Sequence, residues 1–163
     1  MVLAPLGTDA SRAAAALGVD ARRAIAVDTL FALAPAKRRV LMTTVATDAR
    51  WARAAADAFG ADGCAVSVIA DSCGFVAQRV VAMIVAVACN IAQQGIASPE
   101  DIERAVTLGL GYPIGPLAMG DAIGAATVAG ILANIHAATG DARYRPGPWL
   151  ARRAALGLSL RQA

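Results

Sequence analysis

The sequence predicts an α+β chain that is mostly α, with a small parallel α/β segment over residues 1–71 and an all-helical segment over residues 72–163. In the first segment, short apolar runs alternate with helical stretches. Strands separated by helices indicate a parallel sheet built from βαβ crossovers. In the second segment no strand-like alternation remains, and glycine or proline separates runs with helical periodicity.

The first segment predicts four strands and two helices. Thr8 and Asp9 follow Gly7 as a turn with a helix cap, and Gly18 ends that helix. A loop through Pro35 follows the second strand. The predicted strands are residues 1–6, 24–27, 39–43 and 64–70; the predicted helices are residues 11–17 and a helix capped by Thr47 or Asp48 that runs to Phe59.

The second segment predicts five helices. The longest, residues 75–94, is apolar almost all round in its middle, so other helices or a partner chain must enclose it. Ser98 caps the next helix, with Pro99 at its first position and acids in its first turn. The five predicted helices are residues 75–94, 99–109, 117–123, 125–139 and 149–156.

Composition excludes several classes of protein. Hydrophobic residues make up 58% and charged residues 17%, which is ample for a packed core and rules out a disordered chain. The aromatic share of 4% leaves few platforms for base stacking, and the net charge of +3 is dispersed, so no nucleic-acid partner is expected. Two short basic clusters, residues 37–39 and 152–153, favour a solvated helix face over an anion site.

The cysteine and histidine content predicts no metal site. Cys64, Cys73 and Cys89 have no CxxC spacing and lie in apolar settings, so they are interpreted as free thiols in a reducing cytosol. His136 is the only histidine and is interpreted as structural. No signal peptide is visible, and the longest apolar run, residues 80–89, is too short to span a bilayer. We therefore expect a cytoplasmic protein with no membrane partner.

Three segments carry rigid, glycine-bearing patterns. Gly74 allows a close approach or a positive φ where the long helix begins. Residues 111–116 form a stiff loop whose exposed backbone groups either line a ligand cleft or only connect two helices. The segments are residues 71–79 (Asp-Ser-Cys-Gly-Phe-Val-Ala-Gln-Arg), 94–102 (Gln-Gly-Ile-Ala-Ser-Pro-Glu-Asp-Ile) and 109–117 (Gly-Leu-Gly-Tyr-Pro-Ile-Gly-Pro-Leu).

In order and spacing, these segments resemble the C-terminal domain of 3-hydroxyacyl-CoA dehydrogenases. That family shows Asp before Gly-Phe-Val-x-Asn-Arg, then Gly-x-Ala-x-x-x-Asp-Ile-Asp, then Gly-x-Gly-aromatic-Pro-x-Gly-Pro and a closing Asp-x-x-Gly. Residues 121–124 fit the closing element, and residues 140–146 resemble the segment before the family's last helix. The resemblance implies a partial Rossmann-like half (residues 1–71) followed by the family's helical C-terminal domain (residues 72–163).

The resemblance also implies an oxidoreductase activity for the whole enzyme. This activity is NAD-dependent oxidation of a 3-hydroxyacyl-CoA to the 3-oxoacyl-CoA in fatty-acid or aromatic-acid degradation, with an acyl-CoA as the partner of this portion. Gln78 stands where the family has an asparagine that helps to position the thioester. Glutamine keeps the amide but places it one methylene further out. The substitution is interpreted either as a tolerated variation or as the mark of a non-catalytic copy of the domain. The substrate-binding residues so implied are Gln78, Arg79, Tyr112, Pro113, Gly115 and Pro116.

The first segment departs from the family. Residues 1–71 contain no Gly-x-Gly-x-x-Gly, and residues 31–47, where the resemblance places a catalytic His-Glu pair, contain neither residue type. Without the glycine-rich turn a pyrophosphate has no helix N-terminus to bind, and without a base the substrate hydroxyl has no proton acceptor. We therefore predict no catalytic and no cofactor-binding residues here, as in a degenerate second copy or the tail of a longer enzyme.

For this portion we predict helix packing, a homodimer formed through the helix over residues 75–94, and part of the acyl-CoA cleft, without activity of its own. A non-catalytic scaffold or dimerisation module that binds no CoA is the alternative. A third possibility is a minimal enzyme with an unorthodox base.

Overall fold

The computed structural model describes residues 1–31 and 35–162. It divides into two compact units, Met1–Val76 and Ala77–Ala163. The sequence predicts the boundary after residue 71, inside the turn that precedes the long helix, whereas the structure keeps that turn with the first unit. The predicted α+β class is confirmed: a four-stranded sheet with helices comes first, and an all-helical region follows.

The described residues of the first unit, 1–31 and 35–76, form four strands in the spatial order β1-β2-β3-β4 and two α-helices. A 3₁₀ turn, Ala21–Arg23, precedes β2 and was not predicted from the sequence. Asp9 caps the first helix and Asp48 the second, which resolves the choice between Thr47 and Asp48. The elements are β1 (Val2–Leu3), α1 (Ala10–Ala16), β2 (Ile25–Val27), β3 (Arg38–Thr43), α2 (Ala49–Gly60) and β4 (Ala65–Ile69).

The sheet is mixed, which corrects the prediction of a parallel sheet. β1 pairs with β2 and β3 with β4 in parallel, but β2 and β3 run antiparallel, with Ile25 opposite Thr43 and Val27 opposite Leu41. Only residues 28–37 join β2 to β3, and a parallel crossover needs a dozen residues or more. The predicted loop through Pro35 includes residues 32–34, which lie outside the described residues.

Strand alternation gives the sheet of the first unit two buried faces. Ala26 and Met42 belong to a cluster that includes Ala10 and Ala14 of α1. Ile25, Val27 and Leu41 point the other way, where Ala52, Ala55, Ala56 and Phe59 of α2 pack against them. Each helix therefore covers one face of the sheet.

The second unit is all-helical, as predicted. Ser98 accepts a hydrogen bond from the Asp101 N–H at the start of its second helix, and Gly111 ends that helix with a φ of 69°. Its helices are α3 (Val76–Gln93), α4 (Pro99–Leu110), α5 (Pro116–Ile123), α6 (Ala125–Thr139) and α7 (Pro148–Leu156). Its fully buried side chains include Val85, Leu117, Val128, Ile131, Leu132, Ile135, Leu150 and Leu160.

Gly120 allows three parts of the second unit to meet. A Cβ at this position would lie 2.5 Å from Leu160 Cδ1 and 2.7 Å from Val85 Cγ1. Both distances are well below a normal contact between non-bonded carbons, so a side chain at this position would push Leu160 or Val85 aside, and glycine lets α5 approach α3 and the segment after α7 this closely.

α3 is longer than the apolar run, residues 80–89, that the sequence analysis judged too short to span a bilayer. It spans 18 residues with a mean hydropathy of 1.6, which is long and apolar enough to cross a membrane by length and composition. The core helix of a soluble protein has the same composition, and 39% of α3 is buried inside the structure. α5 and α6 reach that length only together, and they bend by 93° at the break between them. The absence of a membrane partner stays a prediction.

Candidate substrate-binding site

Gln78 and Arg79 lie in the first turn of α3 and are engaged within the protein. The Gln78 side chain is completely buried. An Arg79 Nη atom donates to the hydroxyl oxygen of Tyr144 at 2.7 Å, and the guanidinium carbon lies 5.0 Å from the centroid of that ring. Tyr144 belongs to the 3₁₀ turn Ala142–Tyr144 and is itself buried. A charged hydrogen bond and a cation–π contact therefore fix the Arg79 guanidinium.

The loop between α4 and α5 carries the other predicted residues. Pro113 is exposed and Tyr112 is half-buried, whereas Gly115 and Pro116 are buried. Gly115 is the N-cap of α5, and Pro116 occupies its first turn. Proline is well placed there because the first N–H groups of a helix have no partner within the helix. The backbone at Gly115 is thus enclosed, whereas Gly111 and Pro113 of the same loop are exposed.

Tyr112 and Pro116 form one wall of an apolar groove with a cavity volume of about 290 Å³. α3 and α4 supply the remaining walls. Among the lining residues, only Tyr112 has a hydroxyl group. The groove therefore suits an uncharged, aliphatic group better than a phosphate. The residues from the two helices are Met83, Ile84, Val87, Ala88, Ile91, Ile102, Val106 and Leu110.

Glu103 is a residue of this region that the sequence analysis missed. Its carboxylate oxygens accept hydrogen bonds from the N–H groups of Leu117 at 2.7 Å and Ala118 at 3.2 Å. A carboxylate at this position stabilises a helix N-terminus. The signal was present, because Glu103 occupies the last acidic position of the Gly-x-Ala-x-x-x-Asp-Ile-Asp pattern that begins at Gly95.

Asp121, in the closing Asp-x-x-Gly pattern, binds the segment that follows α7. Its carboxylate accepts hydrogen bonds from Ser159 Oγ at 2.5 Å, the Leu160 N–H at 2.7 Å and Arg161 Nε at 3.2 Å. The indole N–H of Trp149 also donates to the Leu160 carbonyl oxygen at 2.9 Å. The end of the second unit is therefore attached to α5 and α7 by polar contacts as well as by the buried Leu160.

The first unit does not fit a pyrophosphate at its first helix. The Ala10 N–H donates to an Asp71 carboxylate oxygen at 2.8 Å, and the Arg12 N–H donates to Asp9 at 2.7 Å. Two carboxylates thus occupy the N-terminus of α1 and take up N–H groups that an anion such as a pyrophosphate would need there. Within residues 1–31 and 35–162, no group of three or more histidine, cysteine or acidic side chains could hold a metal ion.

One arginine of each basic cluster, and the histidine, has a partner inside its own unit. Arg39 donates two hydrogen bonds to Asp62, at 2.8 and 2.6 Å, and lowers the pKa of that carboxyl to about 2. Arg153 lies 3.4 Å from the centroid of the Trp149 ring. His136 Nδ1 lies 3.0 Å from the Asp141 carbonyl oxygen near the end of α6.

Comparison with known proteins identifies the class of protein. The family model described as the 3-hydroxyacyl-CoA dehydrogenase C-terminal domain matches residues 74–162. That range covers more than half of the chain and contains α3, the Gly111–Pro116 loop, the Glu103 contact and Asp121. This chain belongs to the 3-hydroxyacyl-CoA dehydrogenase family, and its second unit is the family's C-terminal domain.

Individual relatives agree with this assignment. A 3-hydroxyadipyl-CoA dehydrogenase of Escherichia coli is 43% identical over 94 residues, or 58% of this chain and 20% of the relative. A probable 3-hydroxybutyryl-CoA dehydrogenase of Bacillus subtilis is 40% identical over 77 residues, or 47% of this chain and 27% of the relative. The chain thus spans a minor part of the length of these relatives.

A solved structure extends the likeness to the first unit. The crystal structure of a 3-hydroxybutyryl-CoA dehydrogenase from Escherichia coli superposes with a TM-score of 0.83 at 32% identity. The match covers 95% of this chain and 31% of that protein. The mixed sheet of the first unit is therefore similar to part of a dehydrogenase structure.

Proposed function

We propose that this chain provides the helical substrate-binding and dimerisation portion of a 3-hydroxyacyl-CoA dehydrogenase and does not turn over substrate alone. The activity proposed for the whole enzyme is NAD-dependent oxidation of a 3-hydroxyacyl-CoA to the 3-oxoacyl-CoA, in fatty-acid or aromatic-acid degradation. The relatives named for 3-hydroxyadipyl-CoA and 3-hydroxybutyryl-CoA support a CoA thioester as the substrate class.

The observation that carries this proposal is the apolar groove beside the Tyr112–Pro116 loop. Its lining is aliphatic apart from Tyr112, and its cavity volume of about 290 Å³ is close to the lower limit of small-molecule sites. An acyl chain needs no polar partner, so burial in this groove stabilises it. The Tyr112 hydroxyl remains available to a polar group of the thioester end.

Thermal denaturation in the presence of acetoacetyl-CoA tests the proposal. A ligand that binds only the native state raises the melting temperature, and at a given concentration it raises it more the lower its Kd. We expect acetoacetyl-CoA to raise it more than free CoA does, and Val87→Glu, on the groove wall, to abolish the difference. Val45→Glu is the control, because Val45 is 86% exposed in the first unit. No shift with the unmodified chain would refute substrate binding.

A second measurement separates this proposal from independent catalysis. We expect the chain to consume no NADH with acetoacetyl-CoA, because residues 1–71 contain no Gly-x-Gly-x-x-Gly and residues 31–47 contain no histidine or glutamate. Measurable NADH consumption by the purified chain would support the minimal enzyme with an unorthodox base instead.

The second candidate is a scaffold or dimerisation module that binds no CoA. The burial of Gln78 and the engagement of Arg79 with Tyr144 favour it, because neither side chain is presented to a ligand. The same titration distinguishes the two functions. A scaffold shows no stabilisation by acetoacetyl-CoA, either in the unmodified chain or in the Val87→Glu variant.

A further inference from the structure

The start of α5 requires a partner from elsewhere in the chain. Gly115, the N-cap, has no side chain that could accept the first N–H groups of the helix, and Pro116 has no N–H to donate. The first donors of α5 are therefore the N–H groups of Leu117 and Ala118. Both donate to the carboxylate of Glu103, one turn into α4, which spans the loop between the two helices.

The carboxylate of Glu103 lies against the backbone of Gly115. A Cβ built on Gly115 would lie 2.3 Å from the carboxyl carbon of Glu103 and 2.3 and 2.6 Å from its two oxygens. Gly115 has a φ of −69°, which any residue adopts. Glycine leaves room for the carboxylate directly against its backbone, so a larger residue here would displace the carboxylate from this position.

We propose that Glu103 is a positioning residue of the acyl-CoA site. Its carboxylate attaches the Tyr112–Pro116 loop to α4 and so fixes the groove wall that Tyr112 and Pro116 form. This inference rests on the proposed function for its ligand. It also limits how the ligand binds: the N-terminus of α5 already holds a negative charge, so the CoA phosphates bind elsewhere.

The test measures local amide exchange and ligand affinity on the full chain. Hydrogen exchange reports the Leu117 and Ala118 N–H groups, and calorimetry reports the Kd for acetoacetyl-CoA well below the melting temperature. In Glu103→Ala we expect both amides to lose protection and the Kd to rise roughly tenfold, the factor for one charge-assisted hydrogen bond. Glu103→Gln retains a neutral acceptor, so it restores part of both effects.

Two further variants give the test its specificity. Gly115→Ala displaces the carboxylate while leaving Glu103 intact, and it reproduces both effects. Combined with Glu103→Ala it adds little, because the two changes break the same contact. Glu100→Ala is the matched control: this acid is exposed in the first turn of the same helix, and its loss leaves both amides and the Kd unchanged.

The outcomes separate the two proposals. If the unmodified chain binds acetoacetyl-CoA and the Glu103 and Gly115 variants bind it equally well, the positioning role is refuted and the proposed function stands. If the unmodified chain does not bind, the proposed function fails and the positioning role fails with it, whatever the amides show. If Glu103→Ala does not fold, Glu103→Gln and Gly115→Ala decide the question alone.

Discussion

Cys89 lies on the buried face of α3, with a side chain that is 1% exposed. Burial raises the pKa of its thiol from an ordinary value of 9.0 to about 12, because the thiolate loses its solvation. Since the folded pKa lies above the unfolded one, the folded state retains the proton longer. The stability this provides is complete below pH 9 and is lost as pH rises towards 12.

We predict that iodoacetamide at pH 8 alkylates Cys64 and Cys73, which are half-buried, well before Cys89. Only the thiolate reacts, and Cys89 forms almost none until the chain unfolds. Mass spectrometry of labelled peptides with and without urea measures this order. Cys89→Ala should flatten the fall in urea midpoint between pH 9 and 12. Equal labelling of Cys89 and Cys64 in the native chain would contradict the buried thiol.

Sequence reasoning recognises residue types more readily than their contacts. The pattern selects Arg79 and Gly115, but nothing local shows that Tyr144, far along the chain, binds the arginine. Nor does it show that Glu103 lies against the glycine. Such contacts depend on how the helices pack, and the sequence of one protein does not give that packing directly. The binding role of the six predicted residues accordingly stays a prediction.

At the scale of elements, capping chemistry was the most informative signal. Ser98 with Pro99 at the start of α4, and Gly140 after α6, set helix ends that the structure reproduces within a residue or two. These signals are local, since they satisfy the backbone groups of the same turn. Strand direction is different, because it depends on the length of the connection. The short connection over residues 28–37 was itself an argument for antiparallel pairing of β2 and β3.

The contact between Asp121 and the segment after α7 gives a prediction at this scale. Asp121→Ala removes the acceptor of three hydrogen bonds, one of them from a backbone N–H. We expect a loss of about 2–4 kcal/mol in the free energy of unfolding, because bonds to a charged group are the stronger kind. Urea denaturation measures the loss, and limited proteolysis should cleave the variant first near residues 157–162.

Arg161→Ala is the control for that prediction. It removes only the ion pair at 3.2 Å, in which the arginine side chain is 57% exposed. An exposed pair contributes about 0–1 kcal/mol. The urea midpoint should therefore change little, and the segment after α7 should remain resistant to protease. Similar losses in both variants would show that the ion pair, and not the bonds from Ser159 and Leu160, attaches the segment.

At the scale of the whole molecule, the two units preserve the family to different degrees. The second unit carries the family pattern through residues 74–162 and has its own buried core. The first unit keeps a mixed sheet similar to that of a dehydrogenase, but residues 1–71 contain no Gly-x-Gly-x-x-Gly and residues 31–47 contain no histidine or glutamate. Similarity of fold therefore does not establish that this chain has the activity of the family.

The proposed dimer gives the last prediction. Val80 lies on α3 with half of its side chain exposed, outside the groove, and Val76 on the same helix is 60% exposed. If α3 packs against its copy in a second chain, Val80→Glu places an unpaired charge in the interface. We expect the Kd of the dimer to rise about 100-fold, or roughly 3 kcal/mol. Light scattering after size exclusion should show the mass halve at micromolar concentration.

Val45→Glu is the control for this prediction, because Val45 is an exposed valine of the first unit. This variant should have the same mass in solution as the unmodified chain. A monomeric unmodified chain would refute the dimer. A dimeric Val80→Glu variant would show that the interface lies on another face of the protein.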